Sequence, residues 1–211
     1  MKLYGSSNNK SFNTLKLRFA LAEIGADYSF VPVDLAKGES RTPDFLRINP
    51  HGKVPVLVDG DFALSESGAI LWYLGEKYPD AKLLPRADGT AAALQARAQI
   101  LRFSDIASTA IYPAYSDWWN ATSSDDPGKR SPAVADAALG KVRRALGVLE
   151  KALAAGDYLV GAFSLADVAN ASILFSLKRR LPDDPLADHE RMRAWYARVT
   201  ARLAWQTVTS D

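Results

Sequence analysis

The run Val54-Pro55-Val56-Leu57-Val58 has strand composition with a proline near its start, and no other feature limits the fold of this chain more sharply. Proline donates no ladder hydrogen bond, so it is confined to strand starts, edges and bends, and an X-Pro bond in a tight bend is where the rare cis isomer is found. A bend at Pro55 presents the N–H and C=O of Val54 outward. Asp59-Gly60 follows, a dipeptide that tolerates the positive φ of tight hairpins, and Phe62-Ala63-Leu64 supplies the returning strand.

Ser65-Glu66-Ser67 comes next, and Ile70, Leu71, Leu74 and Tyr78 then recur at helical spacing, which sets both serines and Glu66 at a helix N-terminus. Free N–H groups there suit a carboxylate, while Glu66 suits an ammonium group, so an α-amino acid would be held at both ends. The same residues also serve as an ordinary cap and a complement to the helix dipole. Spacing alone leaves both readings open.

Along the chain, Lys2-Leu3-Tyr4 reads as a short strand and Gly5 to Asn9 as a turn-rich loop. Leu17, Ala20, Leu21 and Ile24 mark a helix ended by Gly25, and Tyr28 to Val33 returns to strand composition. Thr42-Pro43-Asp44 combines a cap, a proline at the first helical position and an early acid, announcing a short helix through Leu46. The order is β-α-β-α-β-β-α. Its first two strands run parallel because a helix connects them, and its last two form a hairpin.

Residues 79–89, with Pro79, Pro85 and Asp88-Gly89, read as a linker between a first domain over 1–78 and a second over 90–211. The second is all helical. Ala91 to Ser108 carries Leu94, Ala98 and Leu101 at period and bends near Pro113, and a polar loop spans Thr122 to Ser131. Val134, Ala138, Val142, Leu146, Leu149 and Leu153 form one apolar face of another long helix. Ser164 with Asp167 approximates a capping box ahead of Val168 to Leu177, a run apolar on nearly all sides and so central to its domain. Trp195, Tyr196 and Val199 belong to the last helix. Tyr112, Tyr115 and Trp119 fall on one helix face, which makes them either core aromatics or the wall of an apolar site.

Composition removes several chemistries. The chain has 211 residues, 48% of them hydrophobic, enough for sizeable cores, and its net charge of +2 makes no field for nucleic acid. Lys178-Arg179-Arg180 reads as a solvated helix end, and His189 as a surface residue. Zero cysteines exclude disulfides, thiolate metal sites and a cysteine nucleophile, and His51 and His189 stand apart from any metal-ligand spacing. No nucleophile elbow or glycine-rich phosphate loop occurs. With no apolar signal core and no stretch long enough to span a bilayer, a cytoplasmic location is expected.

Asn49-Pro50-x-Gly52-Lys53-Val54-Pro55 followed by Glu66-Ser67 resembles the glutathione site of the cytosolic glutathione transferases, and the likeness extends over nearly the whole chain, nearest to the serine-type, bacterial, phi- and theta-like members. It implies a thioredoxin-like N-terminal domain joined to a C-terminal helical bundle. It also implies that glutathione is the co-substrate. The Val54 backbone beside a cis Pro55 would hold its cysteinyl part, and Glu66 with Ser67 its γ-glutamyl end. Lys53 or Arg41 would meet its glycyl carboxylate, with His51 counted in the same loop, although many relatives have His-Lys where this chain has Ser40-Arg41. His51 also stands where some plant-type members carry an aromatic that keys into the partner of a homodimer.

In serine-type members the catalytic serine precedes a basic-apolar-basic start of the first helix by the distance that separates Ser11 from Lys16-Leu17-Arg18. The resemblance therefore implies that Ser11, or Asn13 as the alternative, activates the glutathione thiol. It places Phe12, Tyr112, Tyr115 and Trp119 around a small apolar electrophile. The implied activity is conjugation of the thiol to electrophiles, a detoxification chemistry, with glutathione-dependent isomerisation, dehalogenation or a non-catalytic glutathione-binding scaffold as alternatives on the same fold. The identity of the electrophile is not written in these residues.

Overall fold

The structure is a computed structural model that describes residues 1–8, 11–123 and 126–210, so Asn9 of the first loop and residues 124–125 of the polar loop lie outside it. The N-terminal half follows the expected order: β1 (Lys2–Ser6), α1 (Phe12–Ile24), β2 (Ser29–Val33), α2 (Pro43–Ile48), β3 (Val56–Asp59), β4 (Phe62–Ser65) and α3 (Ser67–Lys77). The four strands form one sheet in the order β2-β1-β3-β4. Strand β1 runs parallel to β2, with Leu3 opposite Phe30, and antiparallel to β3, with Leu3 opposite Leu57. The β3–β4 hairpin pairs Asp59 with Phe62, placing its turn at Gly60-Asp61. This is the thioredoxin-like arrangement.

Strand β1 reaches further than expected, through Gly5 and Ser6. Helix α1 crosses so close that a Cβ on Gly5 would lie 2.5 Å from the Thr14 methyl and 2.7 Å from the Phe30 ring. Glycine is required there by contact with its neighbours. Gly25 ends α1 in the left-handed conformation, its N–H turned back to the last carbonyls, as its position implied.

The C-terminal half is all helical among the described residues: α4 (Ala91–Asp105), α5 (Tyr112–Ser123), α6 (Pro132–Ala152), α7 (Leu165–Arg180), α8 (Glu190–Thr200) and α9 (Leu203–Thr209). The bend between α4 and α5 is a widened π-type turn over Ile106–Ile111, just ahead of Pro113. Proline returns no N–H to the turn before it, and the coil opens at that point. The expected apolar stripe on α4 is corrected by the structure: Leu94 is 71% exposed and Leu101 46%, Ala98 is exposed too, and Ile100 and Phe103 are the buried residues. Asn170 of α7 donates to the Phe103 carbonyl at 2.9 Å, so the turn that holds Phe103 is the one facing the core. Val134 likewise sits at the solvent-facing start of α6, whereas Ala138, Val142, Leu146 and Leu149 are buried as their spacing implied.

Helix α7 is the centre of this half, and its N-terminus is closed by a complete capping box between Ser164 and Asp167. Fully buried Asp167 also accepts the Leu159 N–H at 3.1 Å and the Trp195 indole N–H at 2.7 Å, tying α7 to α8. His189 is the residue at the start of α8. Both halves share one apolar core, because α1 packs against α7 and α9 as well as against α3. Phe19 of α1 meets the Trp205 ring of α9 edge-on at 5.0 Å. Glu23 of α1 is held by both nitrogen arms of Arg202 at 2.6 and 2.8 Å.

Candidate functional site

One broad cleft of about 840 Å³ lies where the sheet domain faces the helical domain. Ligand clefts commonly fall within about 300–1,000 Å³. Ser11, Phe12, Asn13, Arg41, Lys53, Val54, Pro55, Glu66, Ser67, Tyr112, Tyr115 and Trp119 all line it. His51 does not. Its side chain is exposed, while its backbone carbonyl accepts a hydrogen bond from Arg41 at 3.3 Å.

The floor of the cleft is built by the loop ahead of β3. The Val54–Pro55 bond is cis, as the sequence suggested. Buried Asn49 clasps this loop from inside, donating to the Lys53 carbonyl at 2.6 Å and accepting the His51 N–H at 3.1 Å. One asparagine thus fixes the residues on both sides of Gly52.

At one end stands the N-terminus of α3. Glu66 occupies the capping position with φ of 66° and ψ of 109°, and its side chain makes no cap hydrogen bond. A non-glycine residue held at such angles costs about 1–3 kcal/mol and tends to occur at functional sites. The first N–H groups of α3 lack a side-chain cap, and Glu66, Ser67, Gly68 and Ala69 line the cleft, where an anion would complete those groups. The Ser67 hydroxyl is spoken for, since it accepts from the Lys16 ammonium at 3.0 Å and donates to Asn13 Oδ1 at 2.9 Å. Asn13 is thereby tied to the α3 terminus.

Lys16 belongs to this network and was missed from the sequence, where it looked like part of a basic helix start. It is 1% exposed. Burial lowers its pKa to about 8, against the pull of Asp105 and then Glu66, both of which raise it. Those two carboxylates line the cleft.

Ser11 caps α1, accepting the Thr14 N–H at 3.4 Å and the Thr14 hydroxyl proton at 3.3 Å. Thr14 is in turn fixed by the Ser6 N–H at 3.2 Å, the contact that the tight packing at Gly5 allows. A hydroxyl has two acceptor positions and one proton. Both contacts reach the Ser11 oxygen from Thr14 of its own helix, and Ser11 lines the cleft.

The far end is aromatic. The Phe12 and Tyr112 rings meet at 5.0 Å across the gap between α1 and α5. Tyr115 is buried, while Tyr112 and Trp119 keep 41% and 43% of their surface. Arg180 closes this end, and here the sequence reading is corrected: the last residue of Lys178-Arg179-Arg180 turns into the cleft instead of out to water. No local signal distinguishes it from its neighbours, because its partner is Tyr115, far away in sequence.

A thioredoxin-like domain with a cis-proline loop and a helix terminus without a side-chain cap, facing an aromatic-lined helical domain across one cleft, defines a two-domain class. Residues 1–76 match the family described as "Glutathione S-transferase, N-terminal domain", and residues 123–202 match "Glutathione S-transferase, C-terminal domain". The chain is 35% identical over 213 residues to glutathione S-transferase 3 of Zea mays, covering 98% of this chain and 91% of that one. It is 33% identical over 201 residues to glutathione S-transferase F10 of Arabidopsis thaliana, covering 90% and 88%. A solved structure of glutathione S-transferase-I bound with lactoylglutathione superposes with a TM-score of 0.83 at 31% identity, over 99% of this chain and 98% of that one. The chain belongs to the glutathione S-transferase family.

Proposed function

We propose that this protein conjugates the thiol of glutathione to small electrophiles, with Ser11 donating a hydrogen bond to the sulfur. One observation carries the catalytic part of this reading: the Ser11 oxygen already accepts two hydrogen bonds from Thr14, so the group it offers to the cleft is its proton. A free thiol with pKa near 8.5 is only about 3% ionised near pH 7. A donor that favours the anion by about 1.5–3 kcal/mol lowers that pKa by roughly one to two units. Most of the bound thiol is then thiolate. The N-terminus of α1 acts in the same direction.

Glutathione fits the remaining groups end to end. Its γ-glutamyl carboxylate meets the N–H groups of α3, its ammonium meets Glu66, its cysteinyl backbone pairs with Val54, and its glycyl carboxylate meets Lys53 or Arg41. Asn13, engaged with Ser67, serves the γ-glutamyl end. Domain limits of 1–78 and 90–211 around a linker at 79–89, a homodimer, a cytoplasmic setting and a role in detoxification complete the proposal. The exposed Leu94–Leu101 stripe of α4 and the neighbouring Trp72 and Tyr73 suit a dimer contact.

The test is a steady-state assay with glutathione and 1-chloro-2,4-dinitrobenzene, run beside Glu66→Ala. Turnover above the uncatalysed rate is expected, and the variant should need about ten-fold to a hundred-fold more glutathione. Glutathione binding without turnover would leave a scaffold. Unchanged affinity in Glu66→Ala would remove the amino-acid site.

A further inference from the structure

Among the described residues that line the cleft, Arg180 is the cation whose surroundings are not explained by glutathione. Lys53 and Arg41 stand at the cis-proline loop, and Lys16 is enclosed by Ser67, Asp105 and Glu66. Arg180 lies at the opposite, aromatic end, with its guanidinium 6.0 Å from the centre of the Tyr115 ring and 5.5 Å from that of Trp119. It donates to the Tyr115 hydroxyl at 2.7 Å and pairs with no carboxylate among the described residues. That contact uses one of the five N–H groups of a guanidinium.

A basic residue at a helix C-terminus ordinarily complements the helix dipole. Lys178 does this kind of work at the end of α7, paired with Asp184 at 2.7 Å. Arg180 is instead pulled across to α5 by Tyr115, and its planar group is shelved on two rings. The cavity beyond it, about 420 Å³, is lined by Trp119, Phe175, Ser176, Arg179 and Arg180. Arg179, stacked on Phe175 at 5.0 Å, adds a second positive charge on that side. The carboxylates that line the main cleft, Asp105 and Glu66, act on the charge of Lys16.

From this arrangement, and resting on the glutathione reading above, we infer that the second substrate is an electrophile carrying a carboxylate, bound with its apolar body against Phe12, Tyr112 and Trp119 and its acid on Arg180. A fixed, half-buried guanidinium with open N–H groups matches a carboxylate in shape and charge, and aromatic shelving preorganises it. The carboxylate takes no part in bond making. The glutathione sulfur attacks the electrophilic carbon, the S–C bond forms as the leaving group departs with its electron pair, and the thiol proton has already gone to solvent.

The test compares an acid with its neutral ester. 4-Chloro-3-nitrobenzoate and its methyl ester are conjugated at the same ring carbon with loss of chloride, each rate being divided by its uncatalysed rate. The two products, S-(4-carboxy-2-nitrophenyl)glutathione and its methyl ester, and plain glutathione are titrated calorimetrically. The acid product should bind about ten-fold or more tightly than the ester product, the range of one charge-assisted contact. The acid should also have the lower KM, and added salt should erode only its advantage. Arg180→Gln should bring the acid-to-ester ratio to about one, and Arg180→Lys should keep part of it. Equal affinity of the two products in the unaltered protein, or a ratio that survives Arg180→Gln, overturns the inference while glutathione binding stands. Loss of plain glutathione binding as well would instead bring down the reading beneath it. The wild-type ratio and its salt dependence decide the matter even if Arg180→Gln does not fold.

Discussion

On the function proposed, replacing Ser11 by alanine takes away the donor to the glutathione sulfur, and it leaves the Thr14 N–H and hydroxyl without their acceptor. Turnover near pH 7 should fall by about ten-fold or more, with the pH–rate curve displaced toward higher pH and glutathione affinity little changed. A curve that stays in place in Ser11→Ala and moves in Asn13→Ala would transfer the role to Asn13. The engagement of Asn13 with Ser67 argues the other way. At this scale the sequence was informative wherever a residue answers to near neighbours: the bend at Pro55, the C-cap at Gly25 and the helix terminus at Glu66. It was silent where the partner is distant. Lys16 reads as part of a basic helix start until Ser67, which lies on another helix, meets it, and Arg180 reads as one of three equivalent basic residues until Tyr115 draws it inward.

Elements were legible for a related reason. Gly25, Thr42-Pro43, Asp59-Gly60 and Ser164 with Asp167 are local punctuation, and the helix and strand order followed from them. Which face of α4 is buried did not follow, because Leu94, Ala98 and Leu101 have the same period as a buried stripe and only α7 determines that Ile100 and Phe103 turn inward. The capping box of α7 carries the sharpest prediction for an element. Asp167→Ala strands two backbone N–H groups, the Ser164 hydroxyl and the Trp195 indole in a fully buried position. Stability should drop by about 3–5 kcal/mol, read as a lower denaturant midpoint at constant slope. A loss below about 1 kcal/mol would mean that α7 is held by packing alone.

The whole molecule feels Lys16 through pH. Its pKa is lowered to about 8 in the folded state, chiefly by burial, from an ordinary value of 10.5. In the interval between those values the unfolded chain binds more protons than the folded one, so stability rises with pH there, and the cost of burying the ammonium is fully present below it. The fold should therefore be about 2 kcal/mol more stable near pH 9.5 than near pH 7.5, relative to Lys16→Met, which lacks the titrating group. Urea denaturation of both proteins at the two pH values measures this, and parallel behaviour would refute it. The shared core, with α1 packed between the halves, makes one transition the appropriate measure. The filled oxygen of Ser11 has a further consequence outside the protein. On the function proposed, a hydroxyl whose acceptor positions are filled is no base, so the proton lost by the thiol should pass to the surrounding water, and the binding of glutathione should acidify its buffer. If the thiol pKa falls from about 8.5 to about 6.5, roughly 0.7 of a proton is released per site near pH 7. The heat of glutathione binding should then vary in proportion to the ionisation enthalpy of the buffer, while S-methylglutathione, which has no thiol proton, should give the same heat in every buffer.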